Sequence, residues 1–201
     1  MCIRDSIVDV LRMQPGERVQ VAADDGIRFV AEITETGRNT VTVQSVEILH
    51  ESHEPSVRIA LLQGLAKGEK MDWIVQKAVE VGVTDLYPVA MAHSVVRLES
   101  GRAEKKIERR QKIAESAAKQ SKRDVVPRVH PILPLGQALD DAACDLNILA
   151  YESEDKTGLK AVLRAHSGAR SVAVLIGPEG GIATAEAELA RAHGAVAASL
   201  G

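Results

Sequence analysis

A chain of 201 residues has room for one large domain, or for a small domain followed by a medium one. Hydrophobic residues at 45% and charged residues at 26% exclude a disordered, collagen-like or coiled-coil chain. Aromatics at 2% exclude a nucleic-acid surface built on stacked rings, so the core is aliphatic and any RNA contact electrostatic. The net charge of −3 is unevenly spread: residues 97–128 hold 11 basic against 5 acidic side chains, a local +6 that leaves −9 elsewhere. Such asymmetry fits an anion-binding face on an otherwise acidic protein.

Residues 17–49 alternate in strand fashion. ERVQVAAD leads through Asp25-Gly26, a hairpin-turn dipeptide, into IRFVAEIT, and the turn at residues 36–39 leads to TVTVQSVEIL. This predicts a small antiparallel barrel or sheet over residues 1–50. The polar stretch 51–56 predicts a linker, with a second domain over 57–201. There VRIALLQG (57–64) reads as a buried strand and 69–81 as a helix stopped by Gly82. A strand over 85–90 and a long helix over 102–121 follow. Strands near 128–132, 146–151, 171–176 and 195–200 then alternate with helices near 135–142, 157–166 and 184–193. The alternation predicts an α/β domain with a mostly parallel sheet and helices on both faces. No apolar run reaches the ~18 residues of a membrane span and no signal-peptide pattern opens the chain, so a cytoplasmic protein is expected. Cys2 and Cys144 show no CxxC spacing and the six His are dispersed, including His50 and His53 of HESHE, so no metal site is expected.

Ligands of open α/β sheets sit at the carboxyl ends of strands. Ile176-Gly177-Pro178-Glu179-Gly180-Gly181 follows an apolar strand, and its glycines let backbone groups approach a ligand. It is neither a Walker loop nor GxGxxG, which disfavours a nucleotide phosphate. A ligand loop and a plain strand-to-helix turn both fit the spacing. Tyr151 and Glu152 after the strand at 146–151 fit either a pocket mouth or an ordinary surface end. The segment Lys119-Gln120-Ser121-Lys122-Arg123 fits either a solvated helix end or a phosphate contact. No GxSxG, no HExxH and no paired carboxylates support a hydrolase.

Four segments in order, VLRMQPGE (10–17), KGEKMDWIVQKAVEVGV (67–83), KIAESAAKQSKRDVVP (112–127) and LIGPEGG (175–181), resemble the RsmE family of small-subunit ribosomal RNA methyltransferases. The resemblance covers about residues 7–201. It implies a SPOUT-class α/β methyltransferase domain, trefoil-knotted in the complete family, behind a PUA-like β domain. It further implies a homodimer that uses S-adenosylmethionine to methylate N3 of a uridine in 16S rRNA. A donor pocket is implied at Leu149, Tyr151, Glu152, Ile176, Gly177, Pro178, Glu179, Gly180, Gly181, Leu200 and Gly201. RNA contact is implied for Arg12, Lys70, Arg97, Arg109, Lys119, Gln120, Ser121, Lys122 and Arg123, with Arg123 as the candidate cation stabilising a uracil anion.

Three positions depart from the family pattern: His93 stands where Arg is frequent, Lys122 where Gly is common in QSGR, and Arg110 where Trp is frequent. The family's pattern also extends before residue 7 and continues past Gly201 with an RxETA-like segment and a helix that complete the pocket. Residues 1–201 alone are accordingly expected to bind the donor weakly. The alternative from another class is a noncatalytic rRNA-binding module, which has no use for the GPEGG loop.

Overall fold

The computed structural model describes residues 6–22, 27–49, 52, 54–94 and 100–200, and its internal contacts divide the chain into residues 1–54 and 55–201. The first unit opens with a single helical turn at Ser6–Val10 and then forms β1 (Arg18–Ala22), β2 (Arg28–Thr36) and β3 (Val41–Leu49). These pair antiparallel in the order β1-β2-β3, so the described part is an open three-stranded sheet. Alternation along β2 buries Ala31 and Ile33. The Gly37 N–H closes the second turn on the Thr40 carbonyl. The Asp25-Gly26 turn lies outside the described residues.

The second unit carries β4 (Arg58–Gly64), α1 (Lys70–Glu80), β5 (Asp85–Ala90), α2 (Ser100–Gln120), β6 (Arg128–Val129) and β7 (Leu133–Pro134). It continues with α3 (Leu135–Ala142), β8 (Leu146–Ala150), α4 (Leu159–Ala165), β9 (Ser171–Ile176), α5 (Thr184–Ala192) and β10 (Val196–Ala198). All strand pairings here are parallel, in the order β10-β8-β9-β4-β5-β6 with β7 also on β5. The strand expected at 128–132 is split in two. Pro131 lacks an N–H and interrupts the ladder between β6 and β7.

Period-two alternation along β4 feeds two cores. Ala60 and Leu62 join Tyr87, Val89, Leu149 and Leu175 beneath Leu135 and Leu139 of α3 and Ala187 and Ala190 of α5. Leu61 points the other way, with Leu86 and Val129 against Val75 and Val79 of α1 and Ala114 and Ala118 of α2. Burying a Leu side chain contributes about 2 kcal/mol. The small alanines of α2 supply little area but let that helix lie close to α1. The two helices run side by side in the same direction: Asp72 near the start of α1 meets Arg109, and Val79 and Val83 at its end meet Arg123. Gly82, φ 102, ends α1 as expected, with the Val83 N–H bonded back to the Ala78 carbonyl. Among the described residues no helix is long and apolar enough to cross a membrane.

Candidate functional site

Because β4, β8, β9 and β10 are parallel, Gly64, Ala150, Ile176 and Ala198 all end at one edge of the sheet, the carboxyl edge. The loop 177–181 follows β9 there, beside the end of β4. Its glycines answer different steric demands. A Cβ on Gly177 would stand 2.6 Å from Ile182 Cγ1. Gly181 has φ 75, a left-handed conformation that L side chains disfavour, and a Cβ on it would be 2.8 Å from Glu152 Oε1. Pro178 is buried against β4: a Cβ on Gly64 would lie 2.6 Å from both its N and its Cδ.

Side chains from three other segments brace this loop. Gln63, buried, donates from Nε2 to the carbonyls of Gly64 at 3.0 Å and Gly177 at 3.2 Å. Glu179 Oε1 accepts from the Lys67 N–H at 3.2 Å and pairs with Lys70 Nζ at 3.3 Å. Hydrogen bonds from its own N–H and that of Lys67, with Lys70 beside them, hold its carboxyl below the ordinary carboxylate range. His93 Nδ1 lies 3.3 Å from the Gly181 carbonyl. Glu186 accepts from the N–H groups of Ala92 at 2.7 Å and Ala183 at 3.1 Å, tying the segment before His93 to the start of α5. At the end of β8 the Tyr151 N–H donates to the Ala198 carbonyl, and the Arg191 guanidinium lies over the Tyr151 ring at 5.5 Å.

The fold therefore brings Glu152, Gly177, Pro178, Glu179, Gly180 and Gly181 together, with Ile176 leading in from β9. The Leu149 side chain is enclosed in the core, which leaves only its backbone for any edge site. Leu200 is exposed, and Gly201 lies outside the described residues. Sequence reasoning missed Gln63, Gly64, His93 and Glu186 as parts of this cluster. The one signal available was the Gln-Gly pair closing an otherwise apolar strand.

The basic segment is not one face. Helix α2 runs from the carboxyl edge toward the amino edge, so Lys106 and Lys119 are separated by about 20 Å of helix. Lys70 and Arg109 lie at the carboxyl end, Arg109 held by Asp72 at 2.6 Å. Lys119, Gln120 and Lys122 are exposed at the other end. Ser121 Oγ donates to the Ala117 carbonyl at 2.8 Å, and the Arg123 N–H returns to the Ala118 carbonyl. Lys122 has φ 56, the conformation that favours glycine after a helix. Arg123 Nη1 donates to the carbonyls of Val79, at 3.1 Å, and Val83, so within one chain it caps the end of α1 at the edge opposite the loop. Arg12 is exposed in the first unit, and Arg97 lies outside the described residues.

A parallel α/β sheet carrying a braced glycine loop at its carboxyl edge, following a small antiparallel β unit in the sequence, agrees with a SPOUT-class methyltransferase domain and a PUA-like companion, and the comparisons bear this class out. The model of an RNA methyltransferase domain matches residues 53–201, and that of an RNA methyltransferase PUA domain matches residues 7–44. The ribosomal RNA small subunit methyltransferase E of Bacillus subtilis is 35% identical over 97% of this chain and 78% of its own length. The structure of that enzyme from Neisseria gonorrhoeae, bound to S-adenosyl methionine, superposes with a TM-score of 0.81 at 31% identity, covering 96% of this chain and 79% of that one. A methyltransferase from Legionella pneumophila, solved with bound S-adenosylmethionine, gives 0.80 at 29% identity, covering 98% and 80%. The chain belongs to the ribosomal RNA small subunit methyltransferase E family.

Proposed function

We propose that this protein methylates N3 of a uridine in 16S rRNA, working as a cytoplasmic homodimer with S-adenosylmethionine as donor. The braced 177–181 loop at the carboxyl edge is the observation that supports this most, since a pure RNA-docking module has no need of it. The residues present fit the donor. Loop N–H and C=O groups, backbone of Leu149 and Ile176, the Tyr151 ring and the Glu152 carboxylate offer the mixed polar and apolar contacts that such a molecule requires, and Leu200 follows β10 at the same edge, with Gly201 next in sequence. When bound, the donor supplies an electrophilic methyl group on a sulfonium.

The protein's part is placement and proton handling. Gln63, Lys70 and Glu186 fix the loop, so its backbone groups are preorganised at no cost during the reaction. N3 of uracil must lose its proton before attack. His93, with Nδ1 donating to Gly181, keeps Nε2 as an acceptor for that proton. Arg123 contributes by holding the end of α1 and the adjoining 119–122 turn, from which Lys119, Gln120 and Lys122 reach RNA. Arg12, Arg97, Arg109 and Ser121 complete the proposed RNA contacts.

Incubating the full-length gene product with methyl-tritiated S-adenosylmethionine and unmethylated small subunits, then digesting the rRNA to nucleosides, tests the reading. Label in 3-methyluridine is the expected result. Saturable rRNA binding without donor binding or label would replace the enzyme with a docking module, and label in another nucleoside would overturn the assignment to N3.

A further inference from the structure

A second polar feature lies outside the loop cluster. Where the β4–α1 connection meets α2, a small cleft is lined by Leu65, Ala66 and Gly68, and Asp72, Lys106, Arg109 and Arg110 supply its charge. Three cations share one carboxylate, a local charge of +2. Arg109 Nη2 takes Asp72 Oδ2 at 2.6 Å, which leaves Arg110 Nε with Asp72 Oδ1 only at 3.5 Å, too long for a good hydrogen bond.

Arg110 is only 4% exposed, and its Nε and Nη1 have no hydrogen-bond acceptor among the described residues. A buried guanidinium with unmet donors is costly, because five N–H groups have surrendered water and some have received nothing in return. Burial also lowers the pKa of this guanidinium, against the opposing pull of Asp72, as fits a cation short of counter-charge. The exposed Lys106 and Arg109 stand at the mouth, where they can admit an anion and share it with Arg110. A tetrahedral oxyanion matches the guanidinium fork, which binds phosphate through two parallel hydrogen bonds.

We infer that this cleft is a phosphate-binding site, in which Arg110, with Arg109 and Lys106, takes a backbone phosphate of the RNA substrate. The inference rests on the proposed rRNA reading for the source of the phosphate, but the chemistry of the cleft stands without it. Arg110 occupies a position where the family frequently has Trp, so the site is a property of this chain rather than of the fold.

Two measurements on the full-length protein test it. In the first, inorganic phosphate is titrated against chloride at matched ionic strength while thermal unfolding is followed. The wild type should show a saturable rise in melting temperature that Arg110→Met loses. Methionine fills similar space without charge, and replacing a poorly paired buried cation by an apolar side chain is often neutral or stabilising. If Arg110→Met does not fold, Lys106→Ala with Arg109→Ala, both at exposed positions, should weaken the same response.

In the second, rRNA affinity is measured against salt. Arg110→Met should lower the slope of log K against log salt by about 1, as loss of one phosphate contact does. An absent phosphate response in the wild type, or equal responses in wild type and Arg110→Met, would overturn the site. A phosphate response with an unchanged RNA slope would overturn the RNA backbone as its source. Failure of donor binding or methyl transfer in the wild type would sink the enzymatic reading while leaving the phosphate titration unaffected.

Discussion

Gly64→Ala is the sharpest probe of how the loop is held, because Gly64 lies outside the loop and touches it at one place. The added Cβ would sit 2.6 Å from Pro178 N and Cδ and 2.9 Å from Met91 Sδ. Carbon atoms in ordinary contact keep about 3.5–4.0 Å, so about 1 Å of overlap must be relieved. Met91 is flexible and can swing aside. Pro178 cannot, since its ring and backbone are one rigid unit, so residues 177–181 must move away from β4. Overpacking of this kind costs about 1–3 kcal/mol, which for a chain of this size lowers the melting temperature by roughly 2–4 °C per kcal/mol.

A shift of about 1 Å in a positioning element is also the scale at which ~100-fold of rate is lost. Calorimetric titration with S-adenosylmethionine and the methyl-transfer rate, both on the full-length gene product, should therefore fall by tenfold or more while the protein stays folded. Adding Pro178→Ala to Gly64→Ala removes ring atoms from the overlap and should restore part of the loss. Donor affinity and transfer rate both within about twofold of wild type would show that β4 does not set the loop's position, and the reasoning would fail.

Arg123→Ala removes two hydrogen bonds from a charged donor to the carbonyls ending α1, so stability should drop by about 1.5–3 kcal/mol in urea unfolding with donor affinity unchanged. A tenfold loss of donor affinity without loss of stability would place Arg123 at the reacting centre instead. Lys122→Gly relieves a left-handed backbone and should raise stability by about 1 kcal/mol, and a destabilised variant would contradict the strain argument. For Asp85, burial pushes its carboxyl pKa up, but hydrogen bonding to His130 and the charge of Arg58 outweigh it and bring the group down to about 2 from 3.8. A depressed carboxylate stabilises fully above the unfolded value and loses this contribution as pH falls through the folded value. About 2 kcal/mol should therefore disappear between about pH 4 and pH 2. Urea melts of wild type and Asp85→Asn across that range should differ in slope, and parallel slopes would remove Asp85 from the acid response.

The alternation of apolar strands and amphipathic helices in residues 57–201 was legible because period-two and period-3.6 patterns report burial directly. The 177–181 loop was legible because glycine and proline directly after an apolar strand mark a backbone that must approach something closely. What was hidden depends on contacts between distant segments. Gln63 reads as one polar residue in an apolar strand, and only the parallel register of β4 with β9 places its amide on the Gly177 carbonyl. The +6 segment read as a single face because charge was counted along the sequence, whereas a helix of 21 residues distributes it between two edges of the sheet. Lys122 hid a left-handed helix stop, since the residue that signals such a stop is glycine.

The separation of the two edges explains why the same helices carry both groups of residues without conflict. In a parallel sheet every helix must return the chain from the carboxyl edge to the amino edge, so each helix starts near the site and ends far from it. At the amino edge the polar groups face inward and toward one another. Arg58 donates to Asp85 at 3.0 Å and to the Ala142 carbonyl at 2.8 Å, and His130 lies between Asp85 at 3.0 Å and Asp141 at 3.5 Å with its ring stacked on Tyr87 at 3.8 Å. These contacts, together with the Arg123 cap, satisfy the ends of β4, β5, α1 and α3. At the carboxyl edge the loop's donors and acceptors are braced from behind by Gln63 and Glu186, and Arg110 keeps buried donors unmet. Paired groups such as these contribute stability, whereas the unmet donors of Arg110 give up stability for binding. Substitutions at Arg58, Asp85 or Arg123 should therefore register in unfolding experiments, and those at Gly64, Gln63 or Arg110 in titrations with donor or phosphate.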